Sequence, residues 1–359
     1  MAITQPSFWR GKKVFITGHT GFKGSWLTMA LKQWGAKICG YSLAPNTDPS
    51  LFVTAKVADG IEHHIGDVQD LEHLRSVISK FQPDIVLHMA AQALVRASYE
   101  FPIETLSTNI MGTANILESI RGLTSVRSFV NVTTDKCYEN LEHHRPYTED
   151  EKLGGNDPYS MSKACSELVT ASYRISFFKD ASVGIASARA GNVIGGGDWS
   201  KDRLVPDLAR GFAAGNKVVL RNLQSIRPWQ HVLEPVSAYL LLAEKLFTEP
   251  QKYSQAWNFG PQERDCREVG FIVSEFAKNW GPNPGWSVTS EAQVHEANIL
   301  KLDISKADRL LSWRPRYRLE KALELTATWY QLFYSAGASQ VTELTYSQIQ
   351  QYFNSNTVD

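Results

Sequence analysis

Apolar positions in the first half of the chain fall into short continuous runs, separated by longer stretches with helical spacing. Lys12-Lys13-Val14-Phe15-Ile16-Thr17 carries its charges at one end and is apolar thereafter, the pattern of a strand covered on both faces. Residues 37–41, 61–66, 84–88, 128–132 and 183–188 read the same way. Between them, residues 25–35, 71–78 (through Leu71, Leu74, Val77 and Ile78) and 109–120 have the period of helices packed by one face. A strand–helix alternation with near-continuous apolar strands predicts an α/β fold, a Rossmann-type doubly wound parallel sheet. After Ala190 the rhythm breaks. Gly195-Gly196-Gly197-Asp198 reads as a loop, 235–247 and 320–334 as longer helices, 280–285 as a loop or turn, and 342–359 as a polar stretch that frays at its end. The expected organisation is a Rossmann domain over 1–189 with about 229–260, and a smaller interleaved C-terminal lobe from 190–228 and 261–359.

Composition narrows the function classes. Lys plus Arg total 37 and Asp plus Glu total 37, so the formal net charge is zero. No basic surplus is present for a nucleic-acid backbone or an anionic membrane, and neither is expected as a partner. No apolar run approaches the ~20 residues of a membrane span, and the N-terminus lacks a secretion pattern. The four cysteines (Cys39, Cys137, Cys165, Cys266) are scattered, without a C-x-x-C pair. His63-His64 and His143-His144 are sequence neighbours whose side chains point apart in regular structure, so no metal site is expected. These features predict a soluble, cytoplasmic protein.

Gly18-His19-Thr20-Gly21-Phe22-Lys23-Gly24 lies between the first strand and the first helix. Glycines at this spacing permit a tight turn and let a pyrophosphate approach the backbone, against the free N–H groups of a helix start. The G-x-x-G-x-x-G spacing resembles the short-chain dehydrogenase/reductase superfamily, as do Asp67-Val68, Ala90-Ala91 and Asn109, in that order. By that resemblance, Asp67 and Val68 hold the adenine, Ala90 and Ala91 line the cofactor channel, and Asn109 belongs to the cofactor site. The acidic residue that often ends the second strand and binds the ribose hydroxyls is missing; Tyr41-Ser42 stands there. Lys23 is either a cation that would welcome a 2′-phosphate or a solvated side chain, so the fingerprint alone leaves NAD and NADP open.

Tyr159 and Lys163 are four apart behind Asn156-Asp157-Pro158, a plausible helix start, which puts them on one helix face. A nearby ammonium favours a phenolate and lowers a tyrosine pKa toward the working pH. Such a tyrosine can exchange the proton of an alcohol while hydride moves to nicotinamide. Tyr317 and Lys321 repeat the spacing without the dinucleotide context. Thr133-Thr134-Asp135-Lys136 ends the strand before Tyr159; in the superfamily the hydroxyl there, here Thr134, orients the substrate alcohol. Asp135 and Lys136 read as a surface or cap pair, or as the separate acid and base that water elimination beside a ketone requires.

Thr134-Asp135-Lys136, Tyr159-x-x-x-Lys163, Arg189-x-x-Asn192 and Ile226-Arg227-Pro228-Trp229 resemble the nucleotide-sugar 4,6-dehydratases. Leu302-Asp303, Ser305-Lys306-Ala307 and Leu311-Ser312-Trp313-Arg314-Pro315 extend the likeness over nearly the whole chain. Lys136, in place of a glutamate, resembles the branch acting on CDP-D-glucose, as do Trp9-Arg10-Gly11-Lys12 and Gly21-Phe22-Lys23-Gly24-Ser25-Trp26-Leu27. The resemblance implies NAD, CDP-D-glucose, and a homodimer or higher homo-oligomer built on the helices after Asn109 and Tyr159. It also implies oxidation at C4, loss of water across C5 and C6, and hydride return to C6, on a route to deoxy sugars of surface polysaccharides. Arg227 would hold the pyrophosphate and Asn192 the phosphate or sugar, while Arg96 is either a substrate contact or a surface pair. Asp135 would be the acid and Lys136 the base. An epimerase or reductase on the same scaffold is the enzymatic rival; a non-catalytic dinucleotide-sensing module is the other.

Overall fold

The computed structural model describes residues 2–179, 182–220, 222–282, 285–289 and 299–354. Its centre is a seven-stranded sheet: β1 (Lys13–Thr17), β2 (Lys37–Ser42), β3 (Glu62–Ile65), β4 (Ile85–His88), β5 (Ser128–Val132), β6 (Gly184–Ala190) and β7 (Ala256–Phe259). The spatial order is β7-β6-β5-β4-β1-β2-β3, and every pairing is parallel. The chain reverses its direction of travel between β1 and β4, and ligands of such sheets bind beyond the carboxyl ends of the strands at that point.

Alternation along the strands divides the core in two. Val14, Ile16, Ile85, Leu87, Val130 and Val132 face one cluster, whereas Phe15, Val86 and Phe129 face the other. The first cluster is closed by α1 (Phe22–Gln33) and, from far along the chain, α5 (Leu233–Thr248). The second is closed by α2 (Leu71–Phe81) and α3 (Gly112–Ile120), with α4 (Pro158–Ser176) alongside through Val169 and Tyr173. Each start has a local cause. Asp70 accepts a hydrogen bond from the His73 amide to begin α2, and Asp157 accepts from the Ser160 amide, with Pro158 in the first turn, to begin α4. α1 has no such side-chain cap on Gly21, which leaves its first amides open.

Three short strand pairs shape the second half: 193–194 with 230–231, 226–228 with 266–268, and 218–220 with 286–288. Helices Leu204–Ala213, Val269–Trp280 and Leu319–Ala336 back them. The polar stretch expected at 342–359 is, over its described part, a helix, Ala338–Asn354, that buries Val341, Thr345, Ile349, Tyr352 and Phe353. Residues 355–359, and Asn283-Pro284 of the expected loop, lie outside the described residues. Among the described residues no helix is long and apolar enough to cross a membrane.

Candidate active site

A cleft of about 680 Å³ opens between the strand ends and the second half of the chain. Phe22, Arg96, Thr134, Asp135, Lys136, Tyr159, Asn192 and Arg227, all singled out by the sequence, line it together. Lys163 lies beneath, its ammonium donating to the Val132 carbonyl at 3.2 Å. The placement follows from the elements. β5 ends at Val132, and Thr134 caps the tight turn Asp135–Cys137 by accepting from the Lys136 amide. α4 then presents Tyr159 one turn before Lys163, with the Tyr159 amide donating to Ser98 Oγ at 3.2 Å.

The electrostatics differ from the spacing argument at one point. Burial pushes the Tyr159 phenol up to about 12, against the Thr134 hydrogen bond and Arg203, which favour the phenolate. The four-residue spacing to Lys163 does not bring it down: burial is the largest cause and it wins. Without ligands, Tyr159 is therefore a phenol. Burial also raises the carboxyl of Asp135, outweighing Lys136, Thr134 and Arg227. Thr134 donates to Asp135 Oδ1 at 3.0 Å, while Oδ2 is buried and has no partner among the described residues. A carboxyl in this state suits an acid.

The glycine turn fits a dinucleotide. A Cβ on Gly18 would lie 2.6 Å from the Ala90 amide nitrogen, and one on Gly24 would lie 2.1 Å from the Gly18 carbonyl oxygen, so only glycine closes this turn. Gly21 is open at the mouth, with the uncapped start of α1 behind it. Gly24→Ala is expected to weaken NAD binding at least ~10-fold, read by titrating cofactor-stripped protein, with thermal melting as a control for folding.

Residues 15–326 match the family described as GDP-mannose 4,6 dehydratase. A CDP-glucose 4,6-dehydratase of Salmonella typhimurium is 52% identical over 329 residues, 90% of this chain and 92% of that protein. The chain belongs to the GDP-mannose 4,6 dehydratase family. Two solved structures share the fold. The dTDP-glucose 4,6-dehydratase of Bacillus anthracis in complex with NAD aligns with a TM-score of 0.75 at 22% identity, covering 89% of this chain and 97% of that one. A UDP-glucose 4-epimerase of Stenotrophomonas maltophila aligns with a TM-score of 0.79 at 21% identity, covering 90% and 98%.

In this member of the GDP-mannose 4,6 dehydratase family, the remaining sequence-named residues divide into two groups. Asp67 binds its own loop through the Gln69 amide (2.9 Å), beside the buried Val68, and the Ala90 amide donates to Thr17 at 3.2 Å next to Ala91. Others face the protein. Asn109 is bonded to Gln92 and Ser162, so it ties the loop after β4 to α4. His19 turns under the sheet to His63 at 2.7 Å, and burial lowers it to about 3. Thr20 pairs with Ser42 at 2.8 Å. Arg96 lines the cleft and also meets Asp202 at 3.5 Å. Cys39, Glu62 and His64 bring their ligand atoms within 4.8 Å of one another, and burial pushes the Cys39 thiol up to about 12.

Two further residues line the cleft, one inside the glycine pattern and one outside any motif. Lys23 is turned neither to a ribose nor to solvent. It lines the cleft, where burial, followed by Arg203 and Lys163, lowers it to about 7 against the pull of Asp135 and Asp198. Arg203 enters from the loop after Gly197 and is held by Asp198 at 2.8 Å. Three glycines followed by an aspartate marked that loop, but only the fold brings its arginine to Tyr159.

Proposed function

We infer that this protein catalyses the 4,6-dehydration of CDP-D-glucose to CDP-4-keto-6-deoxy-D-glucose and water, as an NAD-dependent hydro-lyase. The observation that carries the reading is the joint placement of Asp135, Lys136 and Tyr159 in one cleft. An epimerase or a reductase needs a hydride path and one acid/base, and would leave the buried carboxyl of Asp135 without a task. Bound NAD+ supplies a hydride acceptor for C4 and a positive charge near Tyr159.

The chain's own residues then divide the work. Tyr159 takes the C4 hydroxyl proton, with Thr134 orienting that oxygen and Lys163 favouring the phenolate from below. The C4 ketone acidifies C5, Lys136 removes the C5 proton, and Asp135 protonates the departing C6 hydroxyl. The reaction is redox-neutral overall, because C6 gains the hydride that C4 lost, and it closes when C5 takes back a proton from Lys136. Arg227 and Asn192 bind the diphosphate and sugar, with Arg96 at the sugar end. The glycine turn from Gly18 to Gly24, with His19, Thr20 and Phe22, seats the pyrophosphate of NAD. Asp67, Val68, Ala90 and Ala91 border the adenosine and nicotinamide arms, and Asn109, bonded to Gln92 and Ser162, holds the loop after β4 behind them. The ribose end has the neutral Ser42, its hydroxyl paired with Thr20, and Lys23 lines the substrate cleft, which favours NAD over NADP.

Residues 1–189 with about 229–260 form the cofactor unit in this reading, and 190–228 with 261–359 the nucleotide-sugar lobe. Apolar side chains left exposed near α3 and on α4 support a homodimer or higher homo-oligomer: Phe101, Ile103 (74% exposed), Met111, Leu168 and Ile175. Light scattering checks it. Four free cysteines, two of them buried, are compatible with a reducing cytoplasm. The decisive assay offers CDP-, UDP-, dTDP- and GDP-glucose to the NAD-loaded protein and reads product mass. CDP-glucose is expected to lose the mass of one water at the highest kcat/KM. Isomerisation without mass loss would replace the reading by epimerase.

A further inference from the structure

Beneath the cleft lies a buried charged cluster that the chemistry above does not use. Glu167 is one turn beyond Lys163 on α4, hence on the same face of the helix. Its carboxylate accepts from Thr133 Oγ1 at 2.5 Å, from Ser187 Oγ at 2.6 Å and from the Arg189 guanidinium at 2.8 Å. Thr133 immediately precedes the turn carrying Thr134, Asp135 and Lys136, and Ser187 and Arg189 lie on β6. One side chain thus joins α4, the end of β5 and β6. Arg189 carries the connection onward, donating to the Tyr138 hydroxyl at 2.8 Å and to the Glu149 carbonyl at 3.0 Å. Tyr138 in turn donates to Asn258 on β7 at 2.7 Å. The turn that bears Asp135 and Lys136 is therefore gripped before it, at Thr133, and after it, at Tyr138. Glu167 and Arg189 are both almost wholly buried.

We propose that Glu167 and Arg189 are positioning residues, which fix the Thr134–Lys136 turn against Tyr159 and keep Lys163 cationic. The proposal rests on reading Tyr159 and Lys163 as the pair that oxidises C4. Burial draws the Lys163 ammonium down to about 8, and Glu167 is the foremost group opposing that fall. The other groups facing Lys163 help less. His88 on β4 is held neutral by burial, Lys23 on α1 is a competing cation, and only the Cys137 thiol, raised by its own burial, acts in the same sense as Glu167. Glu167 itself stays ionised: burial works against its charge, but Arg189, Ser187 and Thr133 together hold its carboxyl below the ordinary range. Arg174, on the same helix, faces it as well.

The sign follows. A Tyr159 phenolate needs a cationic Lys163, so the oxidation step has an alkaline limb where Lys163 loses its proton. Glu167→Gln keeps the size and two acceptor contacts but removes the anion, so Lys163 deprotonates earlier. In single-turnover assays across pH, the alkaline limb is expected to move down by about one pH unit. Glu167→Asp should restore it, and KM for CDP-glucose should stay the same, since neither residue lines the cleft. A second readout needs no cofactor: in stripped protein labelled with 15N at lysine Nζ, the Lys163 resonance should titrate about one pH unit lower in Glu167→Gln. If that variant fails to fold, Glu167→Gln combined with Arg189→Met removes both partners of the buried ion pair together and should show the same shift. A Lys163 titration unmoved in the folded variant overturns the proposal. A shifted titration with an unshifted rate limb instead faults Lys163 as the partner of Tyr159.

Discussion

Tyr159→Phe is expected to lower turnover of CDP-glucose by ~10²–10⁴-fold, the usual loss when one positioned acid/base is removed. The substitution keeps the ring, which is buried beside Thr134 at the start of α4, and deletes only the phenolic oxygen. Melting temperature should change little, and substrate affinity should hold, because the proposed diphosphate and sugar contacts of Arg227 and Asn192 are left untouched. The starting state matters to the size of the effect. Burial holds the phenol up at about 12 even with the Thr134 hydrogen bond and Arg203 already drawing it down, so Lys163 and the charge of bound NAD+ must favour the phenolate further before it can take a proton. Lys163→Met should therefore lose activity most steeply on the acid side, where the phenolate is scarcest. Measurement is steady-state kcat and KM with a melting curve on the same preparation. Near-normal turnover in a folded Tyr159→Phe protein removes the residue from the reaction.

That example also shows what the amino-acid order carries and what it does not. Four-residue spacing puts Lys163 beside Tyr159 on one face, and the structure agrees. Whether the phenol titrates low or high depends on the water excluded by α4, the Asp135 turn and Arg203, and no local pattern records that. The sheet is legible because each strand announces itself within a few residues: 128–132 coincides with β5, and 37–41 falls one residue short of β2. The C-terminal helix is obscured by Gln, Ser and Thr, although Val341, Thr345, Ile349 and Tyr352 keep the spacing of a packed face. For Lys23 the sequence leaves a 2′-phosphate contact and a solvated side chain both open. It sits in a phosphate-binding pattern, but as the second residue of α1 it is rotated away from the turn and into the cleft. Arg203 reaches Tyr159 through a loop whose path depends on the second half of the chain, so it had no signature at all.

Asp135→Asn and Lys136→Met should separate elimination from oxidation. Asp135 is predisposed to be the acid: burial raises its carboxyl, and Oδ2 has no partner among the described residues. Asparagine fills the same space and can still accept from Thr134, but it has no acidic proton to give a departing hydroxyl. Oxidation at C4 should proceed while water loss slows by ~10²–10⁴-fold, so reduced-nicotinamide absorbance should build up in a single turnover instead of staying near zero. Lys136→Met should give the same accumulation and should also suppress deuterium uptake from solvent at C5, since that exchange requires the base. In the unmodified protein, deuterium placed at C4 should arrive at C6 of the same molecule. The two variants can disagree informatively. If Asp135→Asn accumulates the reduced cofactor and Lys136→Met eliminates at the normal rate, the base is another group in the cleft. Lys23 is then the first to test, because its lowered pKa of about 7 leaves a substantial neutral fraction near neutral pH. Lys23→Met would in that case stop C5 exchange, whereas with Lys136 as the base it should leave C5 exchange intact.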